Sequence, residues 1–100
     1  MKIVTFCEID NSIFNSNHEV EYFENCSGEA DIALLDINSI FDFEENKHTN
    51  CKDKFVSIAL IDDEDDYDAF KNFGIDAWIK HEDISKINEL LDILKKRFLS

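Results

Sequence analysis

The feature that most restricts the fold of this chain is a pair of apolar runs that do not alternate and that end in acid. Ile32-Ala33-Leu34-Leu35 lies between Asp31 and Asp36, and residues 55–61 run into Asp62-Asp63. A half-exposed strand alternates apolar and polar residues, because successive side chains point to opposite faces. Runs without that alternation belong to strands buried on both faces, the condition of a parallel sheet covered by helices. Both are also far shorter than a bilayer span requires.

The remaining segments fit around these two. Residues 2–7 are rich in β-branched and aromatic side chains and stop at Glu8 and Asp10, which predicts a buried first strand. Asp10-Asn11-Ser12 offers capping oxygens to Ile13-Phe14, but Asn15-Ser16-Asn17 ends that segment after one or two turns. Residues 18–25 place Val20 and Tyr22 opposite Glu19, Glu21 and Phe23, a weak second strand. Asn38-Ser39 caps a short helix carrying Ile40, Phe41 and Phe43, and residues 45–54 read as a polar loop. The acids of residues 62–66 suit a helix N-terminus, with Tyr67, Phe70 and Phe73 behind them and Gly74 as a stop. Residues 75–80 form a fifth strand. Asp83 or Ser85 then caps a last helix striped by Ile84, Ile87, Leu90, Leu91, Leu94 and Phe98, with Lys95-Lys96-Arg97 at its negative end. Strands alternating with helices predict a single α/β domain over residues 1–100, with its site at the carboxyl ends of the central strands.

Composition excludes several classes of function. A net charge of -13, from 23 acidic and 10 basic residues, repels a phosphate backbone, so direct nucleic-acid binding is not expected. The absence of Pro and the presence of only two Gly leave no linker to divide the chain. Cys7, Cys26 and Cys51 are odd in number and widely spaced, which suits reduced thiols, and His18, His48 and His81 show no zinc spacing. The N-terminus enters a β pattern directly, unlike a secretory signal, so a cytoplasmic location without membrane contact is the expectation. Residues 62–68 lack the Gly and closing Glu of a calcium loop and read as a solvated helix start. No Gly-rich phosphate loop or nucleophile elbow is present, and no independent enzymatic activity is expected.

Against that background, Asp31-Ile32-Ala33-Leu34-Leu35-Asp36-Ile37 is similar to the third strand of the receiver domain of bacterial response regulators, an apolar run ending in the phosphoacceptor aspartate. Phe70-Lys71-Asn72-Phe73-Gly74-Ile75-Asp76-Ala77-Trp78-Ile79-Lys80 resembles the series of helix, glycine, aromatic and lysine leading into that family's fifth strand, and Asp83-Ile84 its closing helix. The resemblance covers residues 31–100 well and the first thirty in outline. It implies a five-stranded parallel sheet of flavodoxin-like order 2-1-3-4-5. The interval from Glu8 to Asp36 is too short for two full helices and a strand, so the first or second helix, or both, should be shortened. Receivers move a phosphoryl group from a phosphohistidine to an aspartate, using a divalent cation and a lysine. By resemblance Asp36 is the phosphoacceptor candidate, Lys80 the neutralising cation, and Glu8, Asp36 and Asp10 the candidate ligands for Mg.

The departures from that pattern carry as much meaning as the matches. The first strand's acidic pair aligns with Cys7-Glu8, so one carboxylate is missing unless Asp10 swings in. The fourth strand should end in a Ser or Thr, and Ala59, Leu60 and Ile61 fill those positions. Lys80 is one residue closer to Gly74 than the family spacing, which leaves His81 as a rival for the lysine position, although agreement at Asp83-Ile84 favours Lys80. Loss of the hydroxyl removes the phosphate-dependent hydrogen bond that biases a receiver's two states. The expectation is an atypical, phosphorylation-independent receiver with no cofactor, or Mg if the acidic pocket works. It would act on a protein partner: a histidine kinase, an output domain, another signalling protein, or a second copy across the last helix. The alternatives are a working Mg-dependent receiver phosphorylated on Asp36, a small metal-dependent phosphoryl-transfer domain using Glu8, Asp10 and Asp36, or an acidic decoy that mimics nucleic acid.

Overall fold

The two runs that do not alternate form the centre of one sheet. In the computed structural model, which describes residues 1–99 and the side chains of 1–98, β3 (Ala30–Asp36) pairs in parallel with β4 (Cys51–Ile61). Ile32 lies opposite Val56, Leu34 opposite Ile58, and Asp36 opposite Leu60. On the other side of β3 lies β1 (Lys2–Thr5), with Ile3 opposite Ile32. The edges are β2 (Glu19–Tyr22) beside β1 and β5 (Ala77–Lys80) beside β4. The order is β2-β1-β3-β4-β5 with every pairing parallel, the flavodoxin-like topology that the resemblance implies.

Because successive strand residues face opposite ways, each central strand feeds two cores. Ile3, Ile32, Leu34, Ile58 and Leu60 meet Ile87, Leu91 and Leu94 of α3 (Ile87–Leu94) on one face. Val4, Ala33, Leu35, Ala59 and Ile61 meet Ile40 and Phe43 of α1 (Ile40–Asn50) and Phe70 of α2 (Asp66–Phe70) on the other. Full burial of one such Leu, Ile or Phe is favourable by about 1.5–3 kcal/mol, so these faces supply the main drive to fold.

Both early crossovers are shortened, to the 3₁₀ turns Asn11–Ile13 and Phe23–Asn25. Aromatic side chains and an asparagine cover the sheet in place of helices. Phe23 stacks on Phe6 at 5.1 Å between ring centroids, and Phe6 meets the edge of Phe43 at 5.5 Å. On the opposite face Phe14 is buried, and Asn88 of α3 clamps the loop around it. Asn88 Nδ2 donates to Ile13 O at 2.8 Å, and Asn15 N–H donates to Asn88 Oδ1 at 2.9 Å.

Four local expectations are corrected. The helix expected to carry Phe73 as far as Gly74 ends at Phe70. The polar loop expected over residues 45–54 is instead the rest of α1 followed by the start of β4. Lys47 bonds Glu44 at 3.1 Å and lies over the Phe43 ring at 5.4 Å, so the polar residues are a solvated helix face. Beyond it the register breaks: β3 advances from Ala30 to Ile32 while β4 advances from Cys51 to Val56, so the chain bulges outward where Lys52, Asp53 and Lys54 are exposed. Neither Asp83 nor Ser85 caps the last helix; α3 follows the 3₁₀ stretch His81–Lys86 and has no side-chain cap. Phe98 leaves the apolar stripe and is exposed in the final π-type turn Lys95–Leu99. None of the described helices is long and apolar enough to cross a membrane.

Candidate functional site

The carboxyl ends of β1 and β3 meet at one rim. Phe6 N–H donates to Leu34 O at 2.8 Å, which carries the chain beside β3 past the end of β1 and sets Cys7 and Glu8 next to Asp36. A cavity of about 330 Å³ opens there, with Phe6 and Cys7 among its walls and Glu8, Tyr22, Asp36, Asn38, Ser39 and Asp42 around them. Two of the carboxylates predicted for a site, Glu8 and Asp36, therefore share one acidic cavity, and Asp42 of α1 joins them.

Asp36 is already engaged. As N-cap of the 3₁₀ turn Ile37–Ser39, its Oδ1 accepts Asn38 N–H at 3.0 Å and the Ser39 hydroxyl at 2.9 Å. Ser39 Oγ accepts Asp36 N–H at 3.0 Å in return. This reciprocal box satisfies the orphan donors of the turn that leads into α1. Beside it the Cys7 thiol is pushed up to about 12, first by burial and then by the Asp36 carboxylate, so at neutral pH it is a protonated core sulfur and not a nucleophile.

The other two predicted residues lie elsewhere. Asp10 Oδ1 accepts Ser12 N–H at 2.9 Å and caps the turn Asn11–Ile13, and Asp10 does not line the cavity. Lys80 ends β5 opposite Ile61 and lines a separate cavity of about 420 Å³. His81 begins the following 3₁₀ stretch and pairs through Nδ1 with Asp62, just past the end of β4, so Lys80 is the cation that ends the strand itself. Carboxylates are suitable donors for a hard cation such as Mg. Yet among the described residues no three of His, Cys, Asp or Glu are grouped to hold a metal, with Asp10 and one Asp36 oxygen committed to caps. Along β4, Ala59, Leu60 and Ile61 are all buried in the apolar clusters, and Leu60 is the residue opposite Asp36.

The second cavity belongs to the face built by α2, β5 and α3. Trp78 packs against Tyr67 at 4.9 Å and Phe70 at 5.7 Å, and Lys80, Lys86, Leu90 and Ile93 extend the groove. Tyr67 is 39% and Ile93 52% exposed, so the rim is partly apolar. Ser57 and Asp76 hold β5 in place through hydrogen bonds between 2.9 and 3.2 Å.

Sequence reasoning missed the roles of Tyr22, Asn38, Ser39 and Asp42 in the acidic cavity. The spacing Asp36-x-x-Ser39 did contain a capping signal, whereas Tyr22 comes from an edge strand that only the sheet order brings near. No family model matches this chain, and no curated protein or solved structure matches it either.

Proposed function

We propose that this is an atypical receiver-like signalling module that works by protein contact, without phosphorylation, through the face of α2, β5 and α3. The observation that carries the reading is the state of Asp36. It stands at the end of the third strand of a 2-1-3-4-5 sheet, where a phosphoacceptor belongs by resemblance, but one carboxylate oxygen is committed to a cap and its β4 neighbour is Leu60. A phosphoryl group there would have to break the cap and would meet an aliphatic side chain in place of a hydroxyl. The cation expected to neutralise it, Lys80, lines the other groove.

That groove supports the second half of the reading. It joins an aromatic wall, Trp78 and Tyr67, to the exposed Ile93 and to charges of both signs, Lys80, Lys86, Asp83 and Glu89. Aromatic anchors with a polar rim are the usual make-up of protein contact sites. The chain's net charge of -13 favours a partner with a basic surface, through faster encounter.

The test is amide NMR during titration with magnesium and beryllofluoride. The expected outcome is no saturable shift at Asp36, Leu60 or Lys80. Saturable shifts at those amides would overturn the phosphorylation-independent reading in favour of a working receiver. Tight magnesium binding with turnover of a phosphate ester would favour a metal-dependent phosphoryl-transfer domain.

A further inference from the structure

Two cysteines that the candidate site does not use lie at one junction. Cys26 follows the turn Phe23–Asn25, and Cys51 opens β4. The loop between β2 and β3 is pressed along the end of α1 at successive points. Asn50 Nδ2 donates to Phe23 O at 3.3 Å, and Cys26 Sγ donates to Asn50 O at 3.8 Å. Gly28, with φ +99°, approaches so closely that a Cβ there would lie 3.3 Å from Thr49 O, and Ala30 then pairs with Cys51. The Cys26 sulfur thus rests on the peptide unit that joins Asn50 to Cys51, and both cysteines pack into the same apolar cluster.

Their environments differ in a useful way. Cys26 is partly exposed, whereas Cys51 and Cys7 are buried. An oxidant from solvent therefore reaches Cys26 first, and Cys51, whose thiol feels charge on Cys26, is the buried cysteine of the same cluster. The Cys51 thiol is pushed up to about 12, first by burial and then by charge on Cys26, which keeps it a quiescent thiol while the pair is reduced. Its low thiolate fraction slows attack, but a neighbour held in place reacts as if highly concentrated.

We propose that Cys26 and Cys51 are a peroxide-responsive thiol pair, with Cys26 as the sulfur that is oxidised and Cys51 as the one that resolves it. In the first step Cys26 sulfur attacks one oxygen of a hydroperoxide. An S–O bond forms, the O–O bond breaks, and the second oxygen leaves with a proton as water or an alcohol, giving a sulfenic acid. In the second step Cys51 sulfur attacks the Cys26 sulfur. The S–S bond forms, the S–O bond breaks, and the hydroxyl departs with the Cys51 proton as water. Two thiols lose two electrons and the peroxide gains them. The resulting bridge closes a covalent loop around β3 and α1, the elements that carry Asp36 and Asp42, and so ties the oxidation state to the acidic cavity. This reading does not depend on the signalling role.

The test treats the reduced full chain with limiting hydrogen peroxide, alkylates remaining thiols, and maps peptides by mass spectrometry. The expected product has lost the mass of two hydrogens, carries a Cys26–Cys51 peptide, and keeps Cys7 as a thiol that is alkylated only on unfolding. In Cys51→Ser the sulfenic acid persists, and dimedone labelling of Cys26 rises roughly tenfold or more over the parent, since the resolving thiol acts at millimolar effective concentration. Cys51→Ala serves equally should serine unsettle the buried site, and the parent's peptide map needs no variant. Equal dimedone labelling with and without Cys51, a bridge to Cys7, or Cys26 joined only between chains would overturn the proposal.

Discussion

Removing the carboxylate of Asp76 should loosen β5 by an amount that its hydrogen bonds define. Asp76 Oδ2 accepts Ser57 N–H at 2.9 Å and Ser57 Oγ at 3.1 Å, while Asp76 N–H donates to Ser57 O at 3.2 Å. Ser57 is 2% exposed, and the ladder between β4 and β5 begins one residue later, at Ile58 opposite Ala77. On that side of β4 the carboxylate stands in for a strand partner. In Asp76→Ala the Ser57 N–H loses a charged acceptor that water does not readily replace, a loss of about 1.5–3 kcal/mol. The hydroxyl can rotate toward another oxygen and adds less, so the whole change should cost about 2–3 kcal/mol. Asp76→Asn keeps one acceptor oxygen without its charge and should cost about 1 kcal/mol. Urea unfolding followed by Trp78 fluorescence measures both, because Trp78 is the single tryptophan and lies in β5 itself. With a slope of about 1–2 kcal/mol/M, the alanine variant's midpoint should fall by roughly 1–3 M. An alanine variant within about 0.5 kcal/mol of the parent, or an asparagine variant equally damaged, would refute the account of Ser57 as a buried donor served by Asp76.

Other positions give independent checks. Asp36→Ala should lose about 1 kcal/mol in urea unfolding, because the turn loses its N-cap, while Asp36→Asn should retain most of the stability, since the cap needs an acceptor and not a charge. His18 Nε2 is buried without a partner and Nδ1 lies 3.4 Å from the Met1 nitrogen; burial first, then the Met1 charge, holds the imidazole below its ordinary value of 6.5. Protons therefore bind the unfolded chain more readily, so the histidine's contribution is full above pH 6.5 and is lost as pH falls through the lower folded value. His18→Phe should flatten the fall in urea midpoint on acidifying from about pH 7 to pH 5, and an unchanged slope would count against this origin. Gly28→Ala should destabilise by about 1–2 kcal/mol through its positive φ and the nearby Thr49 O, whereas Glu29→Gly, relieving a φ of +60°, should stabilise by up to about 1 kcal/mol. Thermal melts of the two variants should shift in opposite directions.

The legibility of this chain followed the strength of its local signals. The centre of the sheet was readable because residues 32–35 and 58–61 are apolar on both faces, a pattern that few environments other than a covered parallel sheet satisfy. The C-terminal half of α1 was not, because its exposed face carries the same polar residues as a loop. Within the helical part of the misread stretch only Asn50 is buried, and Phe43, also buried, lies before that stretch. The cap on α3 failed for a related reason: Asp83 and Ser85 have capping chemistry, but a 3₁₀ stretch occupies the residues where capping would begin.

The sequence by itself determined which segments must lie at the centre of an α/β sheet, that the first crossovers are too short for full helices, and that Ala59, Leu60 and Ile61 make the end of β4 apolar. Each of these follows from residue type and spacing along the chain. Only the tertiary structure decided which carboxylates meet. Glu8 shares a cavity with Asp36 because parallel pairing brings the ends of β1 and β3 to one rim, whereas Asp10 lies outside it with its oxygen taken by a turn donor. Lys80 faces a different groove because β5 lies at the sheet's edge, with β4 between it and β3. Local chemistry fixes what a residue is able to bond, but distance across a sheet depends on strand order, and strand order emerges only when all five strands bury their faces together.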